Sequence, residues 1–218
     1  MTDFAEARLN MVESQVRPNG VTDSRILDAM MAVARERFVP RALATVAYAD
    51  SDLPLKATSA RALMAPMTFA RLVQLAAIGE GDRVLHVGAA AGYGSAVLAN
   101  VAGAVVALEG DGELSSALAA NLAGLPNVTV ASGKLAEGDK THGPYDVILV
   151  EGRIAAMPKA LLAQLKDGGR AVAVCGPGEM AKACVWTASG ETTTRREAFD
   201  AAAALLPGFE AKAPAFVF

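Results

Sequence analysis

From residue 83 onwards, short apolar runs alternate with stretches in which apolar residues recur at helical spacing. Continuous runs of β-branched and other apolar residues predict strands, and apolar positions three and four apart predict helices. The predicted strands are 83–87, 105–108, 128–131, 147–150 and 171–175, and the predicted helices are 93–101, 113–123 and 159–166. This alternation predicts a doubly wound α/β fold with a mostly parallel sheet.

The segments on either side of this region show other patterns. Before it, helices are predicted over 4–16, 22–34 and 66–78. The first helical region is predicted to end at Phe38-Val39-Pro40, and residues 48–65 are predicted to form an irregular extended connection. After it, antiparallel strands are predicted over 182–186, 192–199 and 215–218. We therefore predict a single domain, 1–218, with an N-terminal helical and loop extension (1–65) and an α/β core (66–218).

Composition and charge exclude several classes of protein. The 218 residues are 53% hydrophobic and 20% charged, which argues against disorder. The net charge is −3 and the basic residues are scattered, so no basic surface for nucleic acid or anionic membrane is indicated. No signal peptide, membrane span or metal-binding pattern is recognisable. Cys175 and Cys184 are therefore predicted to be reduced, buried thiols of a cytoplasmic protein.

The turn after the first strand of the alternating region has the pattern of a nucleoside site. Small residues there let a ligand approach the backbone, and an acid at the end of the next strand accepts hydrogen bonds from ribose hydroxyls. Glu109 ends that strand, 21 positions after Gly88. A Cβ at Ala90 narrows the pocket, and it strains the turn if the backbone there has positive φ. The predicted cofactor-binding residues of this region are Gly88, Ala89, Ala90, Gly92, Tyr93 and Glu109.

Several other motifs follow one another in a characteristic order. They are Met11-Val12-Glu13-Ser14-Gln15-Val16-Arg17, Ile26-Leu27-Asp28-Ala29-Met30, Arg37-Phe38-Val39-Pro40, Leu53-Pro54-Leu55, Tyr145-Asp146-Val147-Ile148-Leu149-Val150 and 162–170. Over roughly residues 9–176, the chain resembles the protein-L-isoaspartate O-methyltransferase family. The resemblance implies a Rossmann-like fold, S-adenosylmethionine as cofactor, and methylation of a carboxylate on a protein or peptide substrate. The oligomeric state is not indicated.

The chain departs from the family pattern where the acceptor is expected. A segment of the family resembling Gln-Thr-Ile-Ser-Gln-Pro is replaced by Arg61-Ala62-Leu63-Met64-Ala65-Pro66, with Met64 at the position of the serine. The resemblance makes Arg61 a candidate anchor for the acceptor carboxylate. Ser59, in a shifted loop, is a candidate source of the missing hydroxyl. The candidate catalytic residues are thus Ser59, Arg61 and Met64.

The other predicted cofactor-binding residues are Gly133, Lys134, Leu135 and Glu151. Gly133-Lys134-Leu135 stands where the family carries Gly-Asp-Gly, and lysine cannot accept a hydrogen bond from the adenine amino group. Adenine selectivity would then depend on backbone groups near Gly133 and Leu135. Glu151 ends the fourth strand, where its charge would repel an acceptor carboxylate unless Arg61, Arg153 or another cation neutralises it. His86 lies among apolar residues and is predicted to be a hydrogen-bonded core histidine.

The leading hypothesis is an S-adenosylmethionine-dependent methyltransferase of the isoaspartate-repair family with an altered acceptor site. An acceptor carboxylate is ionised at neutral pH, so no general base is required. One alternative is a family member that has lost catalysis and serves as a binding or regulatory module, because Met64, Ala90 and Lys134 all replace functional residues of the family. A nicotinamide-binding Rossmann protein is a third possibility, but no dehydrogenase residues are recognisable.

Overall fold

The computed structural model describes residues 3–56 and 61–211, and the N-terminal part of this range is helical. Helix α1 (Phe4–Met11) continues into a π-helical turn (Val12–Val16) and is followed by α2 (Ser24–Ala32). The side chain of Asp3 caps α1 and that of Asp23 caps α2, each by accepting hydrogen bonds from the first turn of its helix. Both predicted helices are confirmed. Strands β1 (Leu53–Pro54) and β2 (Ala62–Leu63), of two residues each, then pair in antiparallel orientation as a β1–β2 hairpin. Helix α3 (Pro66–Ala76) follows them.

Strands and helices alternate along the rest of the chain. The elements in chain order are β3 (Arg83–Val87), α4 (Tyr93–Leu98), β4 (Ala104–Glu109), α5 (Gly112–Leu122), β5 (Val128–Ser132), β6 (Tyr145–Ile154), α6 (Lys159–Leu162), β7 (Leu165–Cys175), β8 (Lys182–Ser189) and β9 (Thr192–Asp200). In the described ranges, the strands from β3 onwards form one sheet in the order β5-β4-β3-β6-β7-β8-β9.

The sheet confirms the predicted fold class. The pairings among β3 to β7 are parallel, and β8 and β9 add to them in antiparallel orientation. The strand order reverses between β3 and β6, so the carboxyl ends of these two strands form the crevice in which doubly wound sheets bind ligands. The predicted strand over 215–218 lies outside the described residues.

Several predicted boundaries are wrong. Helix α4 ends at Leu98 rather than at residue 101, and β7 begins at Leu165 rather than at residue 171. The helical region does not end at Phe38-Val39-Pro40, because a 3₁₀ segment (Arg41–Val46) follows Pro40, whose carbonyl accepts a hydrogen bond from the Leu43 N–H at 2.7 Å. Helix α6 ends at Leu162 rather than at residue 166. The Gln164 carbonyl instead accepts a hydrogen bond from the Tyr145 N–H at 2.9 Å, so the chain enters β7 at Leu165.

The prediction of two buried cysteines agrees with the structure. Cys175 and Cys184 are both buried and form no disulfide. Met30 and Met64 are core residues, and Trp186 is buried on β8. The longest helices of the described chain, α3 and α5, have 11 residues each, so none could cross a membrane.

Candidate functional site

A cavity of about 650 Å³ opens at the carboxyl ends of β4 and β5. Five of the predicted site residues line it, namely Arg61, Glu109, Gly133, Lys134 and Leu135. They come from three separate parts of the chain, which the parallel sheet and the β1–β2 hairpin bring to one edge. The remaining walls are Gly110, Asp111, Ala136, Glu137, Pro207 and Gly208. The volume is in the usual range for a small-molecule site.

Glu109, the predicted ribose-binding acid, is buried in the wall of this cavity and is 1% exposed. One carboxylate oxygen, Oε1, accepts hydrogen bonds from the N–H groups of Gly110 and Asp111 at 2.9 and 3.0 Å. The other oxygen, Oε2, accepts from the Ala90 N–H at 2.7 Å and forms an ion pair with the Arg61 guanidinium. Backbone donors therefore fix the carboxylate, and a buried arginine supplies its counter-charge.

The turn after β3 lies beneath the site and does not line the cavity. Gly88, Ala90 and Gly92 all have positive φ, at +79°, +51° and +105°. The strain expected at Ala90 is therefore confirmed, because a Cβ is unfavourable in this conformation. The N–H groups of Gly88 and Ala89 donate to the Leu108 carbonyl at 3.0 and 3.1 Å, which ties the turn to β4.

Tyr93 begins α4 and is entirely buried in the core. Its ring lies 5.8 Å from that of Phe38 and 5.9 Å from that of Phe69, and the Arg35 guanidinium lies 4.7 Å from its centre. The cofactor contacts predicted for Gly88, Ala89, Ala90, Gly92 and Tyr93 stay predictions.

The residues after β5 agree with the sequence interpretation. The Lys134 side chain is 82% exposed and pairs with Glu137 at 3.0 Å, as a solvated loop lysine does. Leu135 is buried and gives the cavity an apolar wall next to Gly133. A flat aromatic base could therefore contact Leu135 and the backbone of Gly133 without involving the lysine ammonium.

The Glu151 carboxylate lies in the core, three residues before the end of β6, with His86 as its neighbour. The His86 Nε2 atom is 2.9 Å from Glu151 Oε2, and its Nδ1 atom is 2.7 Å from the Ser95 hydroxyl. His86 and Ser95 are both 0% exposed, so the predicted core histidine is confirmed. Arg153 instead donates to the carbonyls of Ala203 and Gly176, at 3.3 and 3.2 Å.

Arg35 is a second basic residue near Glu151, and sequence reasoning missed it. It is 0% exposed and donates to the carbonyls of Ala47 and Met64, both at 2.7 Å. Burial lowers the pKa of the Arg35 guanidinium, while the nearby Tyr93 and Glu151 act in the opposite direction. Arg35 thus fixes the backbone at Met64 and brings positive charge towards Glu151. No local pattern distinguishes it from the other arginines of its segment.

The predicted acceptor side is closed around a cavity of about 10 Å³, no larger than one water molecule. Its walls include Arg61, Met64, Glu151, Gly152 and Leu206. Arg61 therefore lies on the walls of both cavities. Met64 is buried, and the predicted Ser59 lies outside the described residues.

Asp52 connects the acceptor segment to the C-terminal part of the chain. Its carboxylate accepts hydrogen bonds from the N–H groups of Ala65 and Ala204, both at 2.8 Å. Burial raises the pKa of Asp52 in spite of these two donors. The residue was not singled out from the sequence, although it stands just before the Leu53-Pro54-Leu55 motif.

The segment after β9, residues 201–210, crosses the carboxyl edge of the sheet, and we call it the C-terminal strap. Its Leu206 side chain is 2% exposed. A Cβ added to Gly88 would be 3.2 Å from Leu206 Cδ2, and one added to Gly152 would be 2.9 Å from Cδ1. Leu206 thus fills the crevice between the ends of β3 and β6. The sequence interpretation missed this residue.

Comparison with known proteins gives consistent results for sequence and structure. The family model for protein-L-isoaspartate(D-aspartate) O-methyltransferase matches residues 7–198. A relative of this name from Methylorubrum extorquens (strain PA1) is 43% identical over 176 residues, which cover 80% of this chain and 76% of that protein. Another from Methanoculleus marisnigri is 37% identical over 174 residues, covering 79% and 78%.

Two solved structures are similar in fold. One protein-L-isoaspartate O-methyltransferase gives a TM-score of 0.80 at 23% identity, covering 92% of this chain and 66% of that one. The other, from Plasmodium falciparum, is described as a protein of the same kind in complex with S-adenosyl-L-homocysteine. It gives a TM-score of 0.73 at 17% identity, covering 94% and 99%.

Proposed function

Because the chain belongs to the protein-L-isoaspartate O-methyltransferase family, we propose that it methylates a carboxylate on a protein or peptide. An L-isoaspartyl residue is the first candidate acceptor and S-adenosylmethionine is the cofactor. The observation that carries the proposal is the position of Glu109, whose buried carboxylate faces a cavity of about 650 Å³. Its place at the end of β4 is the one at which doubly wound folds hold ribose.

The residues around the cavity fit the nucleoside half of this cofactor. Glu109 would accept hydrogen bonds from the ribose hydroxyls, and Gly133 and Leu135 would contact the adenine. When bound, S-adenosylmethionine supplies an electrophilic methyl group on a sulfonium. The crevice between Gly88 and Gly152, where the rest of an extended ligand would continue, holds the Leu206 side chain. The lining of the cavity thus suits the nucleoside, and the remainder of the ligand would require movement of Leu206.

The chain's task towards the acceptor is to bind and orient it. A carboxylate with a pKa of about 4 is already ionised at pH 7, so no residue has to remove a proton. Alignment and exclusion of water then provide the rate enhancement. Arg61 has the planar donor geometry that matches a carboxylate. Met64 contributes an apolar wall in place of a hydroxyl, and Arg35 brings positive charge towards Glu151.

We propose a protein or peptide partner and a location inside the cell. Cys175 and Cys184 form no disulfide in the described chain, which supports the predicted cytoplasmic location. Neither nucleic acid nor membrane is proposed as a partner.

A methyl-transfer assay with labelled S-adenosylmethionine tests the proposal. The acceptor is an isoaspartyl peptide, and the control is the same peptide with normal aspartate. We expect transfer to the isoaspartyl peptide only. Arg61→Met should raise the KM for the peptide at least tenfold, because a charge-assisted hydrogen bond contributes about 1.5–3 kcal/mol. The matched control is Arg41→Met, at an exposed arginine, and it should change neither the KM for the peptide nor the KM for S-adenosylmethionine. Equal peptide kinetics for Arg61→Met and the wild type would contradict the role of Arg61.

A second candidate function, a binding module without catalysis, is favoured by two observations. Arg61 is paired with the ribose-binding acid, and Leu206 fills the crevice beside it. Calorimetric binding of S-adenosylhomocysteine together with no transfer to any carboxylate acceptor would identify this function.

A further inference from the structure

The C-terminal strap (201–210) separates the nucleoside cavity from the crevice between β3 and β6. We propose that it is a displaceable plug, and that cofactor binding requires Leu206 to leave the crevice. The inference rests on the proposed function, because it assumes a ligand that extends from the nucleoside cavity across the ends of these strands. It goes further because the strap, a segment of this chain, would compete with the cofactor for the crevice between β3 and β6.

The first argument is the position of Leu206. Its side chain lies against two glycines, Gly88 and Gly152, at the carboxyl ends of adjacent parallel strands. This is the topological switch point, where a ligand of such a sheet is expected. The next two strap residues, Pro207 and Gly208, line the nucleoside cavity itself. A ligand that fills the cavity and continues towards β3 therefore meets Leu206 directly.

The second argument is how the strap is held. Three backbone hydrogen bonds attach it to β6 and the residue that follows. The N–H of Arg153 donates to Ala204 at 2.8 Å, that of Leu206 to Arg153 at 2.9 Å, and that of Ala155 to Phe209 at 3.0 Å. Three further bonds hold it: the Ala204 N–H donates to Asp52, the Ala201 N–H to the Ala181 carbonyl at 3.1 Å, and Arg153 Nε to the Ala203 carbonyl at 3.3 Å. By contrast, β8 and β9 form an antiparallel ladder whose residue pairs run from Lys182 with Asp200 to Ser189 with Thr192. Irregular backbone held by a few bonds opens more readily than a sheet ladder.

The plug makes an unusual prediction about affinity. If only a fraction of the molecules is in the binding-competent state, the apparent affinity is the intrinsic affinity multiplied by that fraction. Truncating Leu206 weakens the closed state and removes no group that the ligand needs. Leu206→Ala should therefore bind S-adenosylhomocysteine at least tenfold more tightly than the wild type, as measured by calorimetry. A fixed wall residue would give the opposite result, because its truncation loses contacts with the ligand.

The matched control is Leu161→Ala. Leu161 is 0% exposed in the same apolar cluster and lines neither cavity of the site. This variant should lose stability and keep its affinity for S-adenosylhomocysteine within about twofold. Unchanged or weaker binding by Leu206→Ala would overturn the plug.

Amide hydrogen exchange on the wild type gives a second measurement, which decides the question if Leu206→Ala does not fold. Saturating S-adenosylhomocysteine should accelerate exchange at the N–H groups of Leu206 and Ala155, because displacement of the strap breaks their hydrogen bonds. Protection or no change at these amides would overturn the inference. If the wild type binds no S-adenosylhomocysteine, the proposed cofactor is wrong and the plug with it. Binding without the predicted effects contradicts the plug alone.

Discussion

The buried ion pair between Arg61 and Glu109 allows a quantitative prediction. Its two side chains are 4% and 1% exposed, so neither charge is stabilised by water when its partner is removed. Removing one member of a buried pair typically costs 3–5 kcal/mol, because an uncompensated charge is left behind. Glu109→Gln leaves the guanidinium in that state, so we expect a loss of about 3–5 kcal/mol in the free energy of unfolding.

Arg61→Met should cost less than Glu109→Gln. The Glu109 carboxylate keeps three backbone N–H donors, from Ala90, Gly110 and Asp111, after the arginine is gone. We expect a loss of about 2–3 kcal/mol. For a domain of this size, that corresponds to a fall in Tm of about 4–12 °C.

The double variant tests the pairing itself. If the two side chains were independent, Arg61→Met/Glu109→Gln would lose about 5–8 kcal/mol. Because it leaves neither charge buried, we expect only about 2–3 kcal/mol and thus a coupling energy of about 2 kcal/mol or more. Denaturant unfolding of the four proteins at pH 7 measures this quantity. Additive losses, with coupling below about 0.5 kcal/mol, would refute the ion pair.

Three other substitutions test separate parts of the structure. Asp111→Ala removes the cap of α5 and a 2.9 Å contact with Lys56, and should cost about 1 kcal/mol at pH 7 in denaturant unfolding. The Lys56 ammonium and backbone donors lower the pKa of Asp111, so this difference should shrink as the pH falls below about 4; a constant difference would contradict the assignment. Gly94→Ala places a Cβ against the Glu151 carboxylate and 2.7 Å from His86 Cε1. It should lower the free energy of unfolding by about 3 kcal/mol, and a loss below about 1 kcal/mol would show that this packing is wrong. Ala77→Gly, at an exposed left-handed position after α3, should raise Tm by about 2 °C in a thermal scan, and a lower Tm would contradict the strain.

Most of the fold could be predicted because its signals are local. Strand β3 is found exactly at 83–87, since an apolar run ends there at a glycine turn. The end of α6 was missed because it depends on the carbonyl of Gln164 pairing with Tyr145, 19 positions away. The helical pattern of the sequence continues past Leu162, because only this tertiary hydrogen bond ends the helix there.

The candidate site divides in the same way. Glu109 was identified because an acid at a strand end is a local signal. Its ion pair joins residues 48 positions apart, and the contact of Leu206 with Gly88 spans a longer separation still. A single sequence contains no sign of such contacts. Ala90 is intermediate, because its strain could be predicted only on the condition of a positive φ, which the structure shows.

The most direct test of the account is a crystal structure of the chain with S-adenosylhomocysteine at a saturating concentration. We predict ribose hydroxyls hydrogen-bonded to Glu109, adenine between Gly133 and Leu135, and Leu206 withdrawn from Gly88. A bound ligand found elsewhere, with Leu206 still in the crevice, would contradict the cofactor site.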